Sequence, residues 1–278
     1  MEQTSRSSAA AQNYAPLYFL ASLGAGGIVV TFFMYLMFWV PHPDRPVPVF
    51  EDMVSFATST GPLGQAMLAI ALIGTAGFAI LHYGLLIWNL RKFAAFRRSE
   101  THTALLSTNA ETQLKAVPLT LAMSVNVAFI IGLVFVPNLW AVVELLFPLA
   151  LLAFVAIGLF AFSLLGRFFG RVLTKGGFSA EANTSFAQLL PAFALAMVAV
   201  GLAAPSAMSN TAWIVGASLT LSTFFIVAAV LIAVVAMSVA FRLDAVERWT
   251  NTRLGSPSFV PLDLVVIVAT ATLAATLA

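Results

Sequence analysis

The chain has 278 residues, 61% of them hydrophobic and 9% charged, against about half and about a quarter in soluble domains, so an ordinary water-soluble fold is excluded. It contains no Cys and three His, which excludes disulfides, a thiolate nucleophile and cysteine-ligated metal or iron–sulfur centres, and leaves little for a haem or a metal cluster. The formal charge of +2, carried in short basic clusters between long apolar runs, points to a membrane and away from nucleic acid.

A helix needs about 20 apolar residues to cross a hydrocarbon core of about 30 Å. Seven runs meet that length, at roughly 17–40, 63–89, 116–137, 140–165, 188–205, 211–241 and 262–278. A spanning backbone must satisfy its own hydrogen bonds, so the runs are expected to be helices. The short alternating segments of a transmembrane barrel are missing from the sequence. The expected fold is an all-α polytopic membrane protein of antiparallel helical hairpins, forming one transmembrane domain over 15–278.

Residues 1–14 are polar, with Arg6 as their basic residue, and read as a flexible cytoplasmic tail. Segment 1 is too long for a signal-peptide core and is followed by Pro41-His42-Pro43-Asp44-Arg45-Pro46 where a small-residue cleavage site would stand, so it is expected to be retained. Its run Gly24-Ala25-Gly26-Gly27 permits close backbone approach, to a partner helix or to something passing along it. A Pro-rich connection over 41–62, carrying Glu51 and Asp52, leads to segment 2.

His82 sits near the middle of segment 2, in Ile80-Leu81-His82-Tyr83-Gly84. Ionisable groups inside a membrane are costly and are functional candidates by default. His82 reads as a proton relay or haem ligand, or as the donor of an interhelical hydrogen bond. Segment 3 opens at Pro118 and carries Phe129 and Asn126, whose amide both donates and accepts and so suits a hydrated path or a helix contact. The short connection Pro137-Asn138-Leu139 makes segments 3 and 4 a hairpin. Glu144, one turn into segment 4 behind Trp140, reads as a proton or cation site, or as a carboxylate reaching the headgroups or a neighbouring helix end.

Segment 5 opens at Pro191, followed by Phe193, and ends near Pro205. The pattern Val117-Pro118-Leu119-Thr120-Leu121-Ala122-Met123 returns as Leu190-Pro191-Ala192-Phe193-Ala194-Leu195-Ala196-Met197. It reads as a hairpin repeat or as two ordinary helix-start prolines. Segment 6 carries Phe224 and Phe225, and segment 7 follows Pro261.

All of the 13 Lys and Arg except Arg45 fall in the tail or in alternate connections: Arg91, Lys92, Arg97, Arg98 and Lys115, then Arg167, Arg171 and Lys175, then Arg242, Arg248 and Arg253. Basic loops stay cytoplasmic, so the N-terminus is expected inside a cell membrane. The sequence carries no His-Glu-x-x-His zinc motif, Gly-x-Ser-x-Gly elbow or glycine-rich phosphate loop, and no enzymatic activity is expected. An uncharged, aromatic-rich conduit is the expected function, passing a solute by shape and weak dipoles.

With Tyr18-Phe19-Leu20-Ala21-Ser22-Leu23-Gly24-Ala25-Gly26-Gly27-Ile28 in segment 1, and later odd segments that open with Pro and carry small residues and Phe, the chain resembles the tellurite-resistance/dicarboxylate transporter family, which includes the plant slow-type anion channels. The resemblance implies hairpins in a ring, with proline-kinked odd helices around a central pore closed by phenylalanine. It also implies a homotrimer with one pore per subunit, small anions as substrate, and no cofactor. By position, Gly24 and Gly27 correspond to the small residues of the first inner helix, Pro118 and Pro191 to the prolines of later ones, and Phe129 and Phe193 to inner aromatics. The family pattern has ten helices and this sequence shows seven, so the gating phenylalanine expected on the ninth helix is not assigned to a residue here. The competing expectation is a membrane anchor or quinone-linked redox subunit, with His82 and His102 as haem ligands.

Overall fold

The computed structural model describes residues 14–175 and 186–250, with side chains of the last helix as far as Ser238. Among these residues eight α-helices follow in chain order: α1 (Phe19–Trp39), α2 (Phe50–Ser59), α3 (Pro62–Phe96), α4 (Glu100–Leu105), α5 (Ala116–Phe135), α6 (Val143–Lys175), α7 (Leu190–Met208) and α8 (Ala212–Thr250). Among the described residues every regular element is helical. Six spans among the described residues are long and apolar enough to cross a membrane, over Pro16–Trp39, Pro62–Phe96, Asn109–Phe135, Leu139–Thr174, Ala187–Met208 and Ala212–Ser238. The chain is thus an all-α, multi-pass membrane protein. The expected seventh segment lies outside the described residues, as do residues 1–13 of the tail.

The six spans fall into two rows. α1 packs on α5 and α5 on α7, while α3 lies against α1, α6 against α5 and α7, and α8 against α7. Burial is greatest in the middle of this arrangement: 56% of the apolar window ending in α5 and 50% of that in α7 is buried, against 33% in both α1 and α6 and 11% in α8. Each helix of the inner row is entered through a 3-10 turn, at Pro16–Tyr18, Asn109–Lys115 and Phe186–Leu189. Pro118 and Pro191 both lie in the first helical turn, where a missing N–H costs nothing. The shared sequence pattern of segments 3 and 5 therefore coincides with a shared local structure.

Several boundaries differ from those read off the apolar runs. α3, α6 and α8 continue past residues 89, 165 and 241, because an apolar run marks the hydrocarbon thickness and a helix needs no lipid to go on. α7 runs through Pro205 to Met208, closed by Ser209 N–H on the Pro205 carbonyl at 3.0 Å. Tyr14 belongs to the packed body and not to the tail: it is 5% exposed, and its hydroxyl donates to Asn89 Oδ1 at 3.0 Å. That burial raises the Tyr14 phenol above its ordinary range.

The Pro-rich connection contains a helix, α2, that the apolar pattern does not announce. Asp52 in its first turn accepts from the Val49 N–H at 2.9 Å and from Arg45 at 2.9 Å, which satisfies an orphan donor and favours the helix dipole.

Candidate functional site

At the junction of α1, α3 and α5 lies a buried polar cluster centred on His82, which has no solvent exposure. His82 Nδ1 is 2.7 Å from the Ser22 carbonyl, which can only accept, so Nδ1 carries a proton. Nε2 is 2.9 Å from Ser124 Oγ on α5, and the Ser22 hydroxyl donates to the His82 carbonyl at 2.9 Å. The Ser124 hydroxyl also lies 2.8 Å from the Thr120 carbonyl, and the Tyr83 hydroxyl donates to the Ser124 carbonyl at 2.8 Å. One imidazole thus bridges three helices with both nitrogens engaged.

Gly26 makes this approach possible. A methyl group there would fall 2.9 Å from His82 Nδ1 and would collide with Met123. At Gly24 and Gly27 the same methyl would meet no packed neighbour within 4 Å. Within the small-residue run, Gly26 permits close packing, while Gly24 and Gly27 face open space.

The remaining pore candidates lie on α5 and α7. Asn126 Nδ2 is 3.6 Å from Met197 Sδ across the α5–α7 contact. Phe129 is half-buried and stacks on Phe147 of α6 at 5.8 Å and 14°. Phe193 is half-buried at the edge of the larger apolar core, and Pro118 and Pro191 are buried.

Glu144 stands apart from these residues. Its carboxylate accepts from the Ser209 hydroxyl at 2.7 Å, the Asn210 N–H at 2.7 Å and the Thr211 hydroxyl at 3.0 Å, which fastens the α7–α8 connection to the first turn of α6. Glu51 of α2 does the same for the turn after α5, accepting from the Asn138 N–H at 2.7 Å. Asn138 has φ 57°, a left-handed conformation that Asn tolerates better than most residues.

The opposite end of the inner row carries groups that the sequence presents only as loop charges. Lys115 is fully buried at the base of α5, its ammonium 4.8 Å from the centre of the Phe168 ring and 3.5 Å from the Glu111 carbonyl. It is not a loop residue, because the 3-10 helix that carries it packs beneath α6 and α7. Arg171 of α6 joins Glu111 at 2.9 Å and donates to the Thr108 carbonyl at 3.1 Å. The Glu111/Lys115 spacing of four is the one local signal in the sequence that these two residues lie within about a turn of each other.

His82 and His102 are far apart: fourteen residues of α3 separate His82 from Phe96, about 21 Å of helix, and His102 packs edge-on against Phe96 beyond that end. No protein family, curated protein or solved structure matches this chain. Fold and site define a class, the multi-pass α-helical membrane protein with an uncharged inner row of helices.

Proposed function

We propose that this protein is a membrane channel or transporter that passes small anions along the inner row α1, α5 and α7. The observation that carries the reading is the composition of that row: Phe19–Trp39, Ala116–Phe135 and Leu190–Met208 contain no Asp, Glu, Lys, Arg or His. A path of this kind holds anions weakly inside, as conduction requires. Gly24 and Gly27 supply width, Asn126 an amide dipole, Pro118 and Pro191 the helix starts, and Phe129 and Phe193 the obstruction. The resemblance to the tellurite-resistance/dicarboxylate transporter family belongs to this proposal, as do its homotrimer, its cytoplasmic N-terminus and a cell-membrane location.

The test is anion flux into proteoliposomes under an imposed potential, comparing chloride, nitrate, sulfite and malate. Conductive or saturable flux is expected, and Phe193→Ala is expected to raise it. Absence of flux from folded protein overturns the reading in favour of an anchor or redox subunit, and a haem absorption band in the purified protein would then identify the latter. His82 with both nitrogens engaged speaks for a colourless preparation.

A further inference from the structure

Between the C-terminal end of α3 and the second half of α6 lies a cleft of about 260 Å³. Phe93, Phe160 and Leu164 form its apolar wall, and Arg97, His102 and Arg167 its polar rim. Arg97 and Arg167 are both exposed and, among the described residues, neither meets a carboxylate. Arg167 makes one long hydrogen bond, to Ser163 Oγ at 3.5 Å. Glu111 also lines the cleft, but Arg171 holds and neutralises its carboxylate at 2.9 Å. Two unpaired guanidinium groups therefore dominate the rim.

The depth of the cleft follows from helix length. α3 has 35 residues and α6 has 33, about 50 Å each, well beyond a hydrocarbon core of about 30 Å. Arg97 stands about 52 Å and Arg167 about 36 Å from the start of its helix, both farther than a core of that thickness. Two to three turns before Arg97, Ile87 and Leu90 of α3 are exposed, and two turns before Arg167 so is Leu159 of α6, so apolar surface borders the cleft on its membrane side. Burial and the neighbouring Arg97 charge hold His102 below the ordinary imidazole range, so at pH 7 it is neutral and offers an N–H without adding charge.

We propose that this cleft is a binding site for an anionic phospholipid, with Arg97 and Arg167 on the phosphate oxygens and an acyl chain against Phe93, Phe160 and Leu164. Arginine matches phosphate with a bidentate fork, and basic pockets between transmembrane helices suit anionic headgroups. A free phosphate would leave the apolar wall uncovered, which favours the lipid as the source. The inference stands independently of anion transport.

The experiment is native mass spectrometry of the full chain released from detergent, with phosphatidylglycerol and phosphatidylcholine of identical acyl chains offered together. Retention of phosphatidylglycerol is expected to exceed that of phosphatidylcholine about tenfold. R97Q/R167Q is expected to bring the two close to parity, while the control R91Q/R98Q, which alters exposed residues outside the cleft, keeps the preference. Equal retention by the unmodified chain overturns the proposal, even if the double variant fails to fold. So does a preference that survives R97Q/R167Q or is lost equally in the control. Displacement of phosphatidylglycerol by inorganic phosphate alone would mark a small-anion site and overturn the lipid assignment.

Discussion

Where α1, α3 and α5 meet, the helices are joined by polar groups: Ser22, His82 and Ser124 at the centre, and the Thr120 hydroxyl on the Phe19 carbonyl at 3.1 Å. Where α6, α7 and α8 meet, phenylalanine rings fill glycine notches, Phe154 against Gly201 and Phe225 against Gly158, helped by Ser222 donating to the Ala199 carbonyl at 2.9 Å. Lipid tails are as apolar as the side chains they compete with, so membrane helices associate through interhelical hydrogen bonds or through close packing at small residues. The first junction uses both, since Phe32 of α1 sits in a notch at Gly74 of α3 beside the His82 cluster, and the second relies chiefly on notches. The polar contacts fix register by direction, and the notches fix it by shape.

The largest expected effect tests the notch. Phe154 is 3% exposed, and Phe154→Ala should lower stability by about 3 kcal/mol through lost packing, read as reversible unfolding in mixed micelles. Gly201→Ala alone should also destabilise, because the new methyl meets the Phe154 ring. In the Phe154→Ala background the same methyl occupies vacated space and should recover about 1 kcal/mol. Strictly additive effects would remove the notch from the explanation. As a reference, Gly24→Ala should change stability by less than about 0.5 kcal/mol, since its face is open.

A smaller effect is expected in the polar half. Ser124→Ala leaves His82 Nε2 without a partner and should cost about 1 kcal/mol, in the range of intramembrane hydrogen bonds. Ser22→Ala should cost less, because the Ser22 carbonyl still accepts from Nδ1. If Ser124→Ala destabilises as much as Phe154→Ala, the division of labour between the halves is wrong and His82 carries more than a helix contact.

The six described spans were legible because bilayer thickness writes itself into the length of apolar runs. α2 was not, since its formation depends on Asp52 capping the Val49 N–H and on Glu51 reaching Asn138, a residue 87 positions away. His82 stood out as an ionisable group in an apolar run, but Ser22 and Ser124 did not, because a serine in such a run reads the same whether or not a ring faces it. Which glycine of Gly24-Ala25-Gly26-Gly27 makes the close approach was likewise hidden: successive residues on a helix point about 100° apart, and only the partner helix decides which one faces inward. Lys115 reads as a topology marker until the 3-10 helix beneath it places it under Phe168.

The smallest predicted effect concerns the turns at the other end, where neither device operates. Glu144 holds the connection of the notched half and Glu51 the turn after α5, each by accepting from the backbone N–H of an Asn, Asn210 and Asn138. Glu144→Gln keeps an acceptor but removes the charge that shortens and strengthens such bonds. Hydrogen–deuterium exchange at the Asn210 amide should therefore quicken while global unfolding stays unchanged, and Glu51→Gln should do the same at Asn138. A loss of global stability in either variant would mean that the turn helps to set the helix register on its side, and would extend the polar device into the half that otherwise relies on shape.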